Sequence, residues 1–200
     1  MLEIGCGAGR MTNVLAPLSN QYTAIDLTNA INRIRSRKNL KKIKTDLMNY
    51  NPKEKYDFIF SRGVLHHFPN PKKAFEKSLS LLKEDGVMVI GVYKKRNPLF
   101  EMLNTLIRNK TTKMPHDKLH TLCKKAAFLV PLAYKLMNKG KKRPLTKDES
   151  TWLLFDWFSP EYQYHLSEKE LDEWAQGLDV LEKKVGWRKI RKGHDHLFSD

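Results

Sequence analysis

Three glycines near the start of the chain have the spacing of a ligand-binding loop. Gly5, Gly7 and Gly9 follow Leu2–Ile4, the predicted end of a short buried strand, and precede a predicted helix over residues 10–18. Glycine lets the backbone approach a ligand closely, and a side chain at Gly7 would block that approach. The glycines taken alone also fit a tight turn that binds nothing.

An acidic residue adds to this pattern. Asp26 lies 17 residues after Gly9, at the end of a second predicted strand over residues 22–27. A carboxylate there can accept hydrogen bonds from both hydroxyls of a ribose. The spacing G-x-G-x-G after Glu3 differs from the G-x-G-x-x-G that places a pyrophosphate on a helix end, which disfavours a nicotinamide enzyme.

Two adjacent histidines are candidates for acid–base chemistry. His66 and His67 follow residues 56–61, an alternating and aromatic-rich segment that favours a fourth strand. Because the ordinary pKa of histidine lies near working pH, either imidazole could act as a general base. The alternative is that the two side chains form a structural corner.

Strands and helices alternate along the rest of the chain. The predicted strands cover residues 42–45 at an edge, 87–92 after a turn at Asp85-Gly86, and a weaker closing pair at 178–184 and 187–191. The predicted helices cover residues 29–38, residues 71–82 with Asn70 as cap, and residues 167–176 with a Ser167/Glu170 capping box.

This order predicts an α/β fold with a Rossmann-like, doubly wound and mostly parallel sheet, an antiparallel C-terminal strand and a helical insertion. We expect a cofactor-binding core at 1–93, a basic and aromatic helical insertion at 94–164 on the substrate side, and a C-terminal helix and closing strands of the same domain at 165–200. Ligands are expected at the carboxyl ends of the strands.

Several motifs together resemble one family. They are Leu-Glu-Ile-Gly-Cys-Gly-Ala-Gly-Arg at 2–10, Ala-Ile-Asp-Leu at 24–27, Thr-Asp-Leu at 45–47, Tyr-Asp-Phe-Ile-Phe-Ser at 56–61, Val-Leu-His-His-Phe-Pro-Asn-Pro at 64–71 and Leu-Leu-Lys-Glu-Asp-Gly-Val at 81–87. In order and spacing they resemble the class I S-adenosylmethionine-dependent methyltransferases. More loosely, residues 156–163 and the helix after them resemble branches related to quinone-pathway enzymes.

The resemblance implies S-adenosylmethionine as the cofactor. Its methionine end would lie on the loop formed by Gly5, Cys6, Gly7 and Gly9, with Glu3 near the ammonium group. The ribose would bind Asp26, beside Leu27, and the adenine would bind Asp46 and the backbone of Leu47. Ser61, with Arg62 beside it, would line the methionine. The alternatives are a helix cap for Asp46 and, for Glu3, a buried carboxylate partnered by backbone amides.

The resemblance also bears on the histidines and on an aromatic segment. Sequences of this kind often carry His66 and His67 as a structural corner, and much of the rate can come from alignment of the reactants. Residues 152–164 are the most aromatic-dense stretch, so Trp157 and Tyr162 are candidate substrate contacts in a lid. The same aromatics would also serve as the core of the inserted helices.

Composition limits the remaining function classes. The net charge is +15, and residues 95–150 carry fourteen Lys/Arg against four Asp/Glu. This suits an anionic or lipid-linked small acceptor, RNA or an acidic membrane surface, or simply a solvated face. Cys6 and Cys123 have no spacing typical of a zinc or disulfide site, which favours a reducing cytoplasm. The longest apolar run, 126–134, is too short for a transmembrane segment.

Three functions therefore compete. The first is methylation of a small molecule, and the second is RNA methylation, which the Ser61-Arg62-Gly63 turn disfavours because it lacks the stacking arrangement for a flipped base. The third is a non-catalytic S-adenosylmethionine-binding protein. The helix that normally precedes the first strand in this family is missing from the sequence, so we expect an N-terminal extension to raise thermal stability. Oligomeric state stays open.

Overall fold

The computed structural model describes residues 1–131 and 145–192. The described residues divide into two compact units, one within Met1–Lys95 and Tyr162–Asp200 and the other within Arg96–Glu161. We call the first the sheet unit and the second the helical unit.

Seven strands of the described residues form one sheet, in the order β3-β2-β1-β4-β5-β7-β6. Neighbours among the first five pair in parallel, and β7 runs antiparallel to both β5 and β6. This confirms the predicted mostly parallel sheet with an antiparallel C-terminal strand. The strands are β1 Leu2–Ile4, β2 Tyr22–Asp26, β3 Leu40–Lys44, β4 Tyr56–Arg62, β5 Leu82–Gly91, β6 Asp179–Lys184 and β7 Trp187–Arg191.

Six α-helices lie in the described residues. They are α1 Thr12–Leu15, α2 Pro71–Ser80, α3 Pro98–Thr111, α4 His116–Ala126, α5 Lys147–Phe158 and α6 Glu168–Trp174. Helices α3, α4 and α5 belong to the helical unit. None of the helices in this part of the chain is both long and apolar enough to cross a membrane.

Side-chain caps mark the starts of α2 and α6, as the sequence predicts. The Lys73 backbone N–H donates to Asn70 Oδ1 at 3.0 Å, and Pro71 occupies the first turn, where its missing N–H costs nothing. The Ser167/Glu170 capping box at the start of α6 is present in both directions. Both predicted starts are confirmed.

The helix predicted over residues 10–18 is wrong beyond its first turn. Only Thr12–Leu15 is α-helical, and Ala16–Leu18 is a 3-10 turn. Pro17 has no N–H to donate to the carbonyl four residues earlier, so the α-helical ladder stops there.

The basic helix predicted over residues 29–38 is also wrong. Asn29–Arg33 is a 3-10 helix capped by Thr28, and Ile34 is already extended. Ile31 and Ile34 are both buried, a spacing of three that suits a 3-10 turn. Four of the residues 33–38 are basic, so their charges would repel one another on a longer helix.

Alternate strand residues face two separate apolar clusters. Ile4 and Ile25 pair in register and share one cluster with Phe75 of α2. Ala24 belongs to the other cluster, with Ala16. Because successive strand side chains point to opposite faces, the sheet is covered on both sides.

The strand order shows that the chain reverses its direction across the sheet at β1. From β1 the chain adds β2 and β3 on one side, and then returns to β4 on the other side of β1. In such sheets ligands bind outside the carboxyl ends of the strands at this switch point. The carboxyl end of β1 leads directly into the glycine loop.

Candidate cofactor site

The glycine loop is folded back onto the neighbouring strand. The backbone N–H groups of Gly5 and Cys6 both donate to the Ile25 carbonyl, at 2.9 and 3.1 Å, and Gly9 N–H donates to the Cys6 carbonyl at 2.9 Å. The tight turn thereby satisfies most of its own donors.

Gly7 and Gly5 need to be glycine for different reasons. Gly7 has φ +51°, and a Cβ built there would meet nothing within 4 Å, so the space beside its backbone is open. A Cβ on Gly5, at φ +72°, would come within 2.2 Å of the Val64 side chain. Gly5 is therefore required by packing, whereas Gly7 leaves an open cradle in which a ligand can approach the backbone.

Asp26 joins this loop to the end of β2. Gly7 N–H donates to Asp26 Oδ2 at 2.7 Å, and Thr28 donates to Oδ1 through its N–H at 2.8 Å and its hydroxyl at 2.6 Å. These bonds use three of the roughly four acceptor positions of a carboxylate. To accept from two ribose hydroxyls, Asp26 would have to exchange the bond from the Thr28 hydroxyl.

Glu3 lies in the interior. Its Oε2 accepts from the Thr12 hydroxyl at 2.5 Å and from the Tyr22 hydroxyl at 2.7 Å. Burial raises the pKa of Glu3, and the two hydroxyl donors partly offset that rise. Glu3 is buried as the structural alternative expects, but its partners are side-chain hydroxyls and not the expected backbone amides. Its role near an ammonium group stays a prediction.

Cys6 is a buried, free cysteine. Burial, followed by the nearby charges of Asp26 and Glu3, raises the pKa of its thiol to about 12. A thiol that stays protonated is a poor nucleophile, so Cys6 contributes backbone and volume to the loop rather than reactivity.

The segment proposed for adenine lies next to Asp26. Thr45 N–H donates to the Asp26 carbonyl at 2.9 Å, which sets Asp46 beside the end of β2. Asp46 caps a 3-10 turn by accepting from Met48 N–H at 2.9 Å through Oδ1 alone. Leu47 is buried, whereas the Leu27 side chain is 66% exposed at the same sheet edge. Capping and adenine binding are thus compatible for Asp46.

Ser61 and Arg62, the last two residues of β4, have different surroundings. Ser61 pairs in register with Ile4, directly before the loop, and its fully buried hydroxyl has no hydrogen-bond partner. An orphaned polar atom at the mouth of a loop fits a site that a ligand would complete. The Arg62 guanidinium lies 5.3 Å from the centroid of the Trp187 ring, in a cation–π contact.

His67 is held by a residue far away in the sequence. Its Nδ1–H donates to the Tyr162 carbonyl at 2.8 Å. A carbonyl can only accept, so in the neutral imidazole the proton is on Nδ1 and Nε2 is the basic nitrogen. Tyr162, a candidate substrate contact, therefore positions His67 through its backbone.

His66 is entirely buried, and neither of its ring nitrogens has a hydrogen-bond partner. Its ring centroid lies 4.0 Å from that of Tyr93 and 4.2 Å from that of His67. The centroids of Tyr93 and His165 are 6.0 Å apart. Burial, and then the neighbouring His67 and His165, lower the pKa of His66 to about 2. So weak a base stays neutral at working pH, which agrees with the structural corner.

Trp157 belongs to the helical unit and has partners there. Its indole N–H donates to Asn104 Oδ1 at 2.9 Å, and its ring contacts Phe100 and the guanidinium of Arg96. These contacts agree with the alternative that the aromatic segment forms the core of the inserted helices. A substrate role for Trp157 stays a prediction.

A cavity of about 860 Å³ lies at the amino ends of the strands, opposite the end that carries the glycine loop. Its lining includes Gln21, Lys41 and Tyr56, at the amino ends of β2, β3 and β4. The glycine loop follows the carboxyl end of β1 and contributes nothing to this lining, so the cavity is separate from the loop. Among the described residues no group of three or more His, Cys, Asp or Glu could hold a metal ion.

The predicted site residues are only partly brought together. The glycine loop, Asp26 and the Asp46 segment share hydrogen bonds at one edge of the sheet. Sequence reasoning missed the Tyr22 and Thr12 partners of Glu3, and also the neighbours of His66, namely Tyr93 and His165. No local pattern could have found these contacts, because the partners are far apart in the chain.

Comparisons with known proteins agree with this fold. A family model described as "Methyltransferase domain" matches residues 1–130. The chain is 32% identical over 114 residues to malonyl-[acyl-carrier protein] O-methyltransferase 2 of Ilyobacter polytropus, covering 53% of this chain and 43% of that protein. It is 30% identical over 107 residues to the ubiquinone biosynthesis O-methyltransferase of Glaesserella parasuis, covering 48% and 45%.

The matched regions span less than half of these curated relatives. Among solved structures, the N-methyltransferase NodS from Bradyrhizobium japonicum WM9, in complex with S-adenosyl-L-homocysteine, superposes with a TM-score of 0.56. The superposition covers 96% of this chain and 77% of NodS at 17% identity, a likeness of fold.

Proposed function

This chain belongs to the class I S-adenosylmethionine-dependent methyltransferase family, and we propose that it transfers the methyl group of S-adenosylmethionine to a small-molecule acceptor. The observation that carries the proposal is the contact between the open Gly7 cradle and Asp26 at the switch point of the sheet. Two curated relatives that are O-methyltransferases by name support it.

We propose that the loop backbone at Gly5–Gly9 and the Ser61 hydroxyl hold the methionine part of the cofactor. Asp26 then binds the ribose, and Asp46 binds the adenine with the backbone of Leu47. The acidic side chains at this edge also suit a ligand with a positive sulfonium and ammonium group. Leu27 adds exposed apolar area beside Asp26 for the nucleoside.

When bound, S-adenosylmethionine supplies a methyl group that is activated by attachment to a positive sulfur. The protein's part is to bind and orient the acceptor and, where the acceptor loses a proton, to take it up. His67 suits that task, because its bond to the Tyr162 carbonyl leaves Nε2 as the basic nitrogen. His66, whose pKa lies near 2, suits a packing role.

The proposed acceptor is an anionic or lipid-linked small molecule. The sequence of the helical unit, residues 96–161, carries thirteen Lys/Arg against six Asp/Glu, which favours a negatively charged ligand. We propose that the segment 94–164 contributes to acceptor choice on the substrate side.

Calorimetric titration with S-adenosylmethionine and S-adenosylhomocysteine tests the cofactor site. We expect micromolar binding by the wild type and at least about tenfold weaker binding by Asp26→Asn, because hydrogen bonds to a charged group contribute about 1.5–3 kcal/mol. The amide oxygen that replaces the carboxylate can still accept from Gly7 N–H, so the loop keeps its support.

The matched control is Asp57→Asn at the amino end of β4. Asp57 is exposed and pairs with Lys83 on the surface, so this change should leave cofactor affinity unaltered. Equal affinity of both variants, or no binding of either ligand by the wild type, would contradict the proposal.

RNA methylation is a second candidate, favoured by the run of seven basic residues over 33–44. Two of them have intramolecular partners, since Lys42 Nζ donates to the Ile34 carbonyl and Lys44 Nζ donates to Asn29 Oδ1. Binding to single-stranded RNA that weakens steeply as salt rises would support this alternative. Binding that is absent at low salt would remove it.

A further inference from the structure

Helix α3 presents its apolar side chains to solvent. Five large apolar residues recur along it at positions i, i+3, i+4, i+7 and i+8, the spacing of a single helix face. All five are between 46% and 62% exposed. We call them the α3 apolar face: Leu99, Met102, Leu103, Leu106 and Ile107.

The buried face of the same helix is polar. Arg108 Nη1 donates to the Trp157 carbonyl at 2.7 Å, and Nη2 donates to the Pro160 carbonyl at 2.5 Å. Asn104 Oδ1 accepts from the Trp157 indole N–H at 2.9 Å. Turning α3 to bury its apolar face would break all of these bonds. The helix is therefore anchored through polar groups with its apolar face outward.

Basic side chains lie at both ends of α3. Arg96 precedes α3, with its guanidinium 4.5 Å from the centroid of the Phe100 ring, and Lys110 and Lys113 are exposed at the other end. Glu101 is the acidic residue of α3. The helix combines an outward apolar stripe with positive ends, and it lies in a unit whose sequence is itself net positive.

The positive charge of the protein distinguishes two possible partners of the α3 apolar face, a second copy of the chain and an anionic lipid surface. A second copy of the chain would bring two molecules of net charge +15 together, and their like charges would repel. An anionic bilayer surface attracts the lysines and arginine while accepting apolar side chains at the boundary between headgroups and acyl chains. We propose that the α3 apolar face binds an anionic lipid surface, with α3 lying in the plane of the interface.

Co-sedimentation of the full chain with lipid vesicles tests this proposal. The probes are vesicles of phosphatidylcholine alone and vesicles of phosphatidylcholine and phosphatidylglycerol in equal parts. We expect binding to the second kind, weakened when salt rises from about 0.1 M to about 1 M, over which the Debye length falls from ~10 Å to ~3 Å. Absence of binding to anionic vesicles at the lower salt would overturn the proposal.

A double variant separates the α3 apolar face from general charge attraction. Leu103→Gln with Leu106→Gln should lower the vesicle partition coefficient by about tenfold or more, because apolar area is removed from the lipid contact. The matched control is Leu18→Gln with Val185→Gln. These two apolar side chains of the sheet unit are 80% and 65% exposed. A control that loses binding equally would overturn the assignment to α3.

Two further measurements test the role of charge and the oligomeric state. Lys110→Glu with Lys113→Glu changes only exposed side chains and should also weaken binding to anionic vesicles. It tests the proposal even if the glutamine variant fails to fold, and unchanged binding would count against it. Light scattering measures the mass in solution, and a wild-type dimer that the glutamine variant dissociates would assign the face to a second copy instead.

Discussion

Two glycines with similar backbone conformations lie in different surroundings. Gly7 has φ +51° and Gly177 has φ +79°, and a Cβ at either position would meet nothing within 4 Å. Gly7 N–H is bonded to Asp26 at the carboxyl edge of the sheet, whereas Gly177 lies between α6 and β6. Substitutions at Gly7 and Gly177 therefore distinguish the effect of backbone strain from the effect of a blocked ligand contact.

We predict that Gly7→Ala abolishes cofactor binding while Gly177→Ala leaves it unchanged. Each alanine would adopt a left-handed conformation at a similar cost of about 1–2 kcal/mol, so both variants should lose similar stability. Only the methyl group on Gly7 would fill the cradle. Thermal unfolding and titration with S-adenosylhomocysteine measure the two effects, and equal affinity of both variants would contradict the assignment.

The buried imidazole of His66 makes the stability of the fold depend on pH. Burial, and then His67 and His165, lower the pKa of His66 from its ordinary 6.5 to about 2. Below about pH 6.5 the unfolded chain binds a proton at this position and the folded protein does not. The stability that is present above this pH is therefore lost progressively as the pH falls.

We predict that His66→Phe makes the protein less sensitive to acid. Between about pH 7 and about pH 5 the wild type should lose about 2 kcal/mol more of its free energy of unfolding than the variant does. Phenylalanine also removes two unpaired ring nitrogens from the interior. Denaturant unfolding at several pH values measures the slope. His116→Phe, at the exposed start of α4, is the control, and the idea fails if both variants keep the wild-type slope.

At the scale of elements, a buried arginine ties α6 to β7. The Arg188 side chain is fully buried, with Nη2 3.0 Å from Glu168 Oε2 and 2.7 Å from Asp172 Oδ1, both on α6. Its Nη1 donates to the carbonyls of Lys184 and Trp187. Helix α6 is thereby fixed to β7, the strand between β5 and β6.

We predict that Arg188→Met destabilises the sheet unit by about 1–3 kcal/mol, because the partly buried carbonyls of Lys184 and Trp187 lose their donor. The carboxylates of Glu168 and Asp172 are partly exposed and regain water, which limits the loss. Arg191→Met, at the exposed end of the same strand, should change stability by less than about 0.5 kcal/mol. Chemical denaturation compares them, and similar losses would argue against the role of the network.

At the scale of the whole molecule, the net charge of +15 opposes compaction through self-repulsion. Salt bridges among the described residues are mostly exposed and offset little of it. Screening by salt should therefore stabilise the folded state.

We predict that the unfolding temperature rises as sodium chloride increases from about 0.01 M to about 0.15 M, because the Debye length falls from ~30 Å to ~8 Å. The triple variant Arg35→Glu, Arg37→Glu and Lys41→Glu, all at exposed positions, lowers the net charge by six. Its salt response should be clearly smaller. Differential scanning calorimetry measures both, and identical slopes would exclude self-repulsion as the cause.

The sequence by itself determined the order of the strands, two capped helix starts and the glycine turn after β1, because their signals are local. Alternating apolar residues, Asn70 before Pro71, the Ser167/Glu170 pair and the glycine spacing act over a few residues. The helices predicted over 10–18 and 29–38 failed because periodicity there competed with Pro17 and with like charges.

Only the tertiary structure decided which partner each polar side chain found. Glu3 meets Tyr22 across nineteen positions, and His67 meets the Tyr162 carbonyl across ninety-five. It also decided that α3 buries Arg108 and exposes Leu106, the reverse of what an amphipathic pattern alone indicates. The physical reason is that hydrogen-bond and packing energies depend on distances in space, which residue spacing along the chain does not contain.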